Sequence, residues 1–219
     1  MKVWLASYPR SGNTFLRIVL NNVFGLRSAS LYKGETAVFN ETADAVSVIG
    51  HDEQNSGDAQ DVDEPEGLRL VKTHGEPTDD GQGIYIVRDG RMALVSYYHY
   101  LKSFVDEQTK FEDVITGKHQ PGGSWSGHFH AWNPSKRERT LLVRYEDLRD
   151  RNDETCQKVG DFLKKQPLRK FDIAFSELQA LNPRFFRASN DARSLEEIEP
   201  FHNLFMEYHG ATMQELRYV

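Results

Sequence analysis

Short apolar runs alternate with longer segments of helical periodicity along most of this chain. The first run, Val3-Trp4-Leu5-Ala6, is short and continuous, which predicts a buried strand. After a polar turn, apolar residues recur on one face between positions 15 and 24 and predict a helix. The same order of strand, polar tip and helix is repeated at 84–104. The pattern therefore predicts repeated α/β units.

The whole chain follows this alternation. The predicted strands cover 3–6, 68–74, 84–87 and 140–148, and the predicted helices cover 13–24, 91–104, 153–164, 171–181 and 200–216. Residues 32–49 are expected to form a polar connection with room for short helices, and 182–194 to be irregular. The fold class predicted is α/β, with a central parallel sheet, helices on both faces and a P-loop-like strand-turn-helix at the N-terminus.

Length and composition favour one domain over residues 1–219. With 38% hydrophobic residues the chain can bury a substantial core. No apolar run approaches the ~18 residues of a membrane span. The first strand leaves no room for a signal peptide, and the single cysteine, Cys156, has no intramolecular partner. We therefore expect a cytoplasmic protein.

The acidity of the chain is local. Seven of the 33 acidic residues lie at 51–66, which contains no Lys or Arg, and the rest of the chain holds 26 acidic and 27 basic residues. The 51–66 segment is low in apolar residues and is expected to form a mobile surface loop. The balanced remainder can form a basic pocket, and we expect a small-molecule partner rather than nucleic acid. The oligomeric state stays open.

The turn at 7–14, Ser7-Tyr8-Pro9-Arg10-Ser11-Gly12-Asn13-Thr14, joins the first strand to the first helix. Helix N-termini carry unpaired backbone N–H groups and a partial positive charge, so a phosphate or sulfate is a suitable ligand here. The alternative is an ordinary capped helix after a strand. The sequence lacks the GxxxxGK[ST] pattern of a Walker A loop.

Cationic and titratable side chains stand at the predicted carboxyl ends of several strands. Arg10 follows the first strand, Lys72 and His74 end the second, and Arg88 ends the third. In a parallel sheet these ends meet at one edge, so we expect the four side chains to converge. Positions 72 and 74 point to the same side of a strand. The alternatives are a structural histidine and a surface lysine whose stem packs on the protein.

Seven blocks in order resemble the PAPS-dependent sulfotransferase family, in particular small, bacterial-type, soluble members; PAPS is 3′-phosphoadenosine 5′-phosphosulfate. The 7–14 turn resembles the 5′-phosphosulfate loop, 69–74 the segment with the catalytic lysine and histidine, and 84–98 the 3′-phosphate segment. Further similar blocks are 123–132, 142–148, 175–187 and 205–218. The resemblance covers nearly the whole chain except about 28–66.

The resemblance implies a catalytic role for three residues. His74 would accept the proton of an acceptor hydroxyl, Lys72 would face the transferred group, and Arg10 would stabilise charge on the leaving oxygen. The backbone N–H groups that would hold the 5′-phosphosulfate belong to Ser11, Gly12, Asn13 and Thr14. The family usually has lysine where this chain has Arg10, and arginine cannot act as a general acid.

The resemblance also implies how the rest of the nucleotide is held. Arg88, Ser96 and Arg187 would bind the 3′-phosphate. The aromatic residues expected at the adenine are Phe15, Phe175, Phe185 or Phe186, and Tyr145. The family continues past this arginine with lysine and glycine, whereas this chain has Ala188 and Ser189.

The implied reaction is sulfuryl transfer from PAPS to a hydroxyl, phenol or amine acceptor, with PAP as product and no metal. The acceptor side is expected to be lined by residues of one segment, namely Ser124, Trp125, His128, His130 and Trp132. Two other functions stay open: a nucleotide-dependent phosphotransferase of related topology, and a non-catalytic PAP- or PAPS-binding protein.

Overall fold

The computed structural model describes residues 1–32, 43–57, 67–118, 122–183, 186 and 191–219. The strands are β1 (Lys2–Ala6), β2 (Ser28–Ser30), β3 (Arg69–Thr73), β4 (Gln82–Val87) and β5 (Thr140–Arg144). The helices are α1 (Asn13–Phe24), α2 (Ala43–Ile49), α3 (Gly90–Phe104), α4 (Phe111–Thr116), α5 (Trp125–Trp132), α6 (Tyr145–Asp150), α7 (Asn152–Leu163), α8 (Phe175–Leu181), α9 (Asp191–Ile198) and α10 (His202–Glu215). A 3₁₀ turn, Glu199–Phe201, joins the last two helices.

The strands form one parallel sheet in the order β2-β3-β1-β4-β5. The carboxyl ends of β1, β3, β4 and β5 therefore lie along the same edge. Ala6, the last residue of β1, pairs with Thr73 and Tyr85 of its two neighbours. This register places the turns after the strands side by side, which confirms the α/β fold predicted from the sequence.

Side chains alternate between two hydrophobic layers, one on each face of the sheet. Trp4 and Ala6 of β1 belong to a cluster with residues of α3, α5 and α10. Val3 and Leu5 belong to a second cluster with residues of α1 and α7. Both faces are thus covered, as a buried parallel sheet requires.

The strand β2 was not predicted. Its sequence, Ser28-Ala29-Ser30, carries no apolar run, and it forms by pairing with Leu70 to Lys72 of β3. Residues 51–57, the first part of the predicted mobile loop, are tied to this strand: His51 is buried and bridges Ser28. Residues 58–66 lie outside the described residues.

Two other boundaries differ from the sequence predictions. The predicted strand 140–148 ends at Arg144, and Tyr145 begins α6. The region predicted to be irregular contains α9 from Asp191 onward. No element was predicted where helices α4 and α5 form. These helices are short, and tertiary packing decides such segments more than periodicity does.

The connection from β3 to β4 contains no helix and runs from the carboxyl ends of the strands back to their amino ends. Residues 74–81 make this passage in an irregular conformation. Trp132 Nε1 donates to Gly75 O at 2.9 Å, and Trp4 Nε1 donates to Asp79 Oδ1 at 2.9 Å. Arg137 also donates to Asp79 O. The connection is therefore held at both of its ends.

Over the part of the chain that the structure describes, no helix combines the length and apolar character that crossing a bilayer would need.

Candidate nucleotide and transfer site

The turn between β1 and α1 has the backbone of an anion-binding loop. Arg10 and Gly12 adopt positive φ angles of 63° and 103°. The Asn13 side chain donates to Leu5 O at 2.9 Å, which ties the start of α1 to the end of β1. Gly12 caps α1 without a side chain, and its first turn contains no acidic residue. The positive end of the helix is therefore not neutralised by its own first turn.

The hydroxyl of Ser11 supports an anion in this loop. Ser11 is fully buried, and among the described residues its Oγ has no hydrogen-bond partner. A buried hydroxyl without a partner costs free energy, and an oxyanion is an acceptor that would satisfy it. The loop therefore fits a phosphate or phosphosulfate group. The Asn13 side chain has a structural role, since it bonds to Leu5 and Ser7.

Arg10 and Ser96, predicted separately from the sequence, are in contact. Arg10 Nε donates to Ser96 Oγ at 3.2 Å, and the Arg10 guanidinium carbon lies 5.6 Å from the centre of the Tyr100 ring. These contacts link the turn after β1 to helix α3, and thus connect the proposed 5′ and 3′ ends of the site. Tyr100 was not identified in the sequence.

His74 lies beside the same turn, with one ring nitrogen fixed. Its Nδ1 is 2.8 Å from the backbone oxygen of Ser7 and 3.3 Å from Ser7 Oγ. A carbonyl oxygen only accepts hydrogen bonds, so in the neutral ring Nδ1 carries the proton and Nε2 carries the lone pair. This tautomer is the one that can take a proton at Nε2.

Lys72 stands two residues before His74 and is 8% exposed. Its Nζ is 5.8 Å from the centre of the Tyr32 ring, and the same ring stacks against the His74 imidazole. Both side chains therefore contact one residue, in agreement with the prediction that positions 72 and 74 point to the same side. Sequence reasoning missed Tyr32, which lies two residues after the unpredicted strand β2.

Arg88 directly follows β4, and its guanidinium carbon lies 4.7 Å from the centre of the Tyr145 ring. Two acidic residues, Asp89 and Glu146, form hydrogen bonds beside it. Asp89 accepts from Arg91 N and forms an ion pair with the Arg91 side chain at 2.6 Å. Glu146 accepts from Asp89 N and from the Tyr218 hydroxyl. Arg88 and Tyr145 thus occupy neighbouring strand ends.

Tyr145 also packs directly on the anion loop. A Cβ atom added at Gly12 would lie 2.5 Å from Tyr145 Cδ2, so only glycine fits beneath this ring. The Phe15 ring meets Tyr145 edge-on at 6.0 Å and Phe171 at 5.6 Å. Phe171, which sequence reasoning missed, therefore shares the aromatic group predicted to contact adenine.

The other aromatic residues predicted to contact adenine differ in their exposure to solvent. Phe186 is buried in a core cluster with Ile18 and Leu178, which indicates a packing role, and its assignment to the adenine stays a prediction. Phe175 begins α8 and is 44% exposed, so it stays available to a ligand. Phe185 and Arg187, together with Ala188 and Ser189, lie outside the described residues.

Most of the residues expected to line the acceptor side are structural. Trp125, His128 and Trp132 are buried. His128 Nδ1 lies 2.9 Å from the Tyr85 hydroxyl, and burial lowers the pKa of His128 to about 4. This ring is therefore neutral near pH 7. The Ser124 side chain caps α5 by accepting from Gly127 N. His130 Nε2 is hydrogen-bonded to Thr212 Oγ1, so its ring is also engaged on the α10 side.

The described residues contain no group of three or more His, Cys, Asp or Glu side chains placed to hold a metal ion.

The fold and this site define an α/β protein with an anion-binding loop at the carboxyl edge of its sheet. Residues 1–209 match the family model described as "Sulfotransferase domain", and the chain belongs to this family. The chain is 29% identical over 181 residues to "Sulfotransferase 1E1" of Mus musculus, covering 74% of this chain and 59% of the relative. It is 26% identical over 183 residues to "Flavonol 3-sulfotransferase" of Flaveria bidentis, covering 74% and 56%. The chain thus spans less than two thirds of these relatives.

Two solved structures share the fold. The structure of mouse sulfotransferase SULT7A1 complexed with PAP has a TM-score of 0.64 and 19% identity, and the match covers 95% of this chain and 84% of that one. Retinol dehydratase in a complex with retinol and PAP has a TM-score of 0.63 and 16% identity, and the match covers 97% and 81%. At these identities the likeness concerns the fold.

Proposed function

We propose that this protein transfers a sulfuryl group from PAPS to a hydroxyl, phenol or amine of a small-molecule acceptor. The observation that carries the proposal is the position of Arg10, Lys72, His74 and Arg88 at one edge of the sheet. Membership of the sulfotransferase family supports it. Sulfuryl transfer moves a group with dispersed negative charge, and positioned cations stabilise such a group.

The residues of the site fit the two charged ends of the donor. At the 5′ end, the Ser11 hydroxyl and the backbone N–H groups of 11–14 would hold the phosphosulfate. At the 3′ end, Arg88 and Ser96 would bind the second phosphate, with Arg187 as a third proposed ligand. Phe15, Tyr145 and Phe175 would contact the adenine. The donor supplies the activated sulfuryl group.

The chain's own residues then perform the transfer. His74 takes the acceptor proton at Nε2, because Nδ1 is engaged by the Ser7 carbonyl. Lys72 faces the transferred group and Arg10 stabilises charge on the departing oxygen. The Arg10 guanidinium keeps its proton, so its role is electrostatic and not that of a general acid. Displacement is in line, with the acceptor entering opposite the leaving phosphate.

Residues 1–219 are proposed to form one domain, and the cytoplasm is the proposed compartment. Cysteine usage supports this location: Cys156 is buried on α7, and burial raises the pKa of its thiol to about 11. Such a thiol is a poor partner for disulfide exchange.

The test is incubation with PAPS labelled in its sulfuryl group and a panel of phenols, alcohols, sugars and amines. We expect label transfer to at least one acceptor, without added metal, and calorimetric binding of PAP. PAP binding without transfer to any acceptor would support the non-catalytic alternative instead. Turnover of ATP with magnesium in place of PAPS would support a phosphotransferase.

A further inference from the structure

Tyr32 lies two residues after β2, and its side chain contacts His74, the residue that follows the neighbouring strand β3. Its hydroxyl accepts a hydrogen bond from the backbone N–H of His74 at 2.8 Å. Its ring stacks on the His74 imidazole with a centroid distance of 5.9 Å and an interplanar angle of 21°. One tyrosine side chain therefore contacts both the backbone and the ring of His74.

Tyr32 is itself held by the sheet. Its backbone N–H donates to Ser30 Oγ at 3.2 Å, and the preceding Leu31 N–H donates to Lys72 O at 3.1 Å. The Lys72 ammonium lies 5.8 Å from the centre of the same ring. The ring thus lies near both Lys72 and His74, and the backbone of Leu31 beside it is anchored to β3.

We propose that Tyr32 is a positioning residue that orients the imidazole of His74 for proton transfer at Nε2. Ser7 engages the Nδ1 edge of the imidazole, and the Tyr32 ring covers one face. Together they restrict the ring to one orientation and one tautomer. The inference deepens the proposed function and depends on it, because the orientation matters only when His74 acts as the base.

Tyr32 is 40% exposed, so its ring also has surface available to an acceptor. The two roles have different kinetic consequences. A residue that only binds the acceptor changes KM, whereas a residue that orients the base changes kcat with little change in KM. The kinetic constants of a Tyr32 series therefore separate positioning from acceptor binding.

The experiment compares Tyr32→Phe, Tyr32→Leu and, as a control, Tyr208→Phe, an exposed tyrosine on α10. Tyr32→Phe keeps the ring and loses one neutral hydrogen bond, so we expect roughly a five-fold lower kcat. Tyr32→Leu loses the stacking as well, and we expect roughly a thirty-fold lower kcat. The KM for the acceptor, the affinity for PAP and the melting temperature should stay near wild-type values. Tyr208→Phe should match the wild type.

A second measurement needs no turnover. In isotopically labelled protein, NMR shifts of the imidazole report which nitrogen carries the proton, and His74→Gln identifies the signal of His74. We expect the Nδ1–H tautomer in the wild type and in Tyr32→Phe, and a mixture of tautomers in Tyr32→Leu.

The two measurements separate failure of this inference from failure of the proposed function. An unchanged kcat in Tyr32→Leu, a change in KM alone, or unchanged His74 signals would overturn the positioning role. Absence of any sulfuryl transfer by the wild type would refute the proposed function, and the NMR signals would still decide whether Tyr32 orients the ring.

Discussion

The Nδ1 atom of His74 lies 2.8 Å from the backbone oxygen of Ser7, although the two residues are 67 positions apart in the sequence. The contact joins the turns that follow β1 and β3, two adjacent strands. It therefore couples the anion loop to the proposed base: the same turn that would hold the donor's phosphosulfate also sets the tautomer of His74.

The first prediction concerns His74→Ala. Removing the base should lower turnover by roughly 100-fold or more, the usual contribution of general base catalysis, and leave PAP binding nearly unchanged. Label transfer and calorimetry measure the two effects. His202→Ala, an exposed histidine at the start of α10, is the matched control. Wild-type turnover in His74→Ala would remove this residue from the mechanism.

The second prediction concerns Arg88→Ala, which should weaken PAP far more than AMP because only PAP carries a 3′-phosphate. Loss of charged hydrogen bonds corresponds to roughly 10- to 100-fold in the dissociation constant. AMP affinity should change little. Arg139→Ala, at the opposite edge of the sheet just before β5, should bind both nucleotides normally. Equal losses for PAP and AMP would contradict the 3′-phosphate assignment.

The third prediction tests the arginine that stands where the family usually has lysine. Arg10→Met removes the cation and should lower turnover by roughly 100-fold, a typical cost of losing a charge-stabilising group. Arg10→Lys keeps a cation that can also donate a proton, so its turnover should equal or exceed that of the wild type. If Arg10→Met is as active as the wild type, the leaving-group role is wrong.

The fourth prediction concerns the contact between Gly12 and Tyr145. Gly12→Ala places a Cβ 2.5 Å from the tyrosine ring on a backbone with φ of 103°, and should impair both stability and PAP binding. Gly123→Ala is a matched control, since Gly123 also has a positive φ, 74°, but a Cβ there would meet no atom of the described residues within 4 Å apart from its chain neighbours. Strain alone costs about 1–2 kcal/mol, so a melting-temperature loss in Gly12→Ala no larger than in Gly123→Ala would refute the steric account.

The fifth prediction concerns the pH dependence of stability. Burial lowers the pKa of both His128 and His209 to about 4, below the unfolded value of about 6.5. The unfolded chain therefore binds more protons between these pH values. The contribution of the two neutral histidines to the free energy of unfolding is therefore fully present above about pH 6.5. It is lost as pH falls toward 4, by at most about 1.4 kcal/mol per pH unit for each histidine.

Urea unfolding at several pH values between 7.5 and 4.5 measures this loss. His209→Gln should show a shallower fall in the free energy of unfolding than the wild type. His202→Gln, on an exposed site, should follow the wild-type curve. Identical slopes for His209→Gln and the wild type would contradict the assignment.

The elements with strong local signals were predictable. The sequence places α1 at its observed bounds, and β1, β3 and α3 within a residue or two, because their apolar periodicity agrees with their burial. The same apolar pattern placed Arg10, Lys72 and Arg88 at the carboxyl ends of the strands. The contact between Arg10 and Ser96 was not predicted, because no local pattern relates residues 86 positions apart.

The features that escaped prediction depend on tertiary contacts. β2 has three small residues and exists because β3 supplies hydrogen-bond partners, so neither its pairing nor the reach of Tyr32 to His74 has a local signal. The core position of Phe186 also has no local signal, because an aromatic residue next to a motif arginine fits a ligand-binding role and a core role equally well. Local sequence chemistry indicated the side chains proposed to react, and tertiary packing determined the neighbours that hold them.

The passage from β3 to β4 begins at His74 and consists of only eight residues, tied down at Gly75 and Asp79. An inserted or deleted residue could not be accommodated here without moving these hydrogen-bonded positions. A change of length in this passage would displace the imidazole directly, whereas strand β3 separates positions 58–66 from the base in the sequence. Evolution of new acceptor preferences in this protein should therefore proceed by lengthening other connections while this one keeps its length.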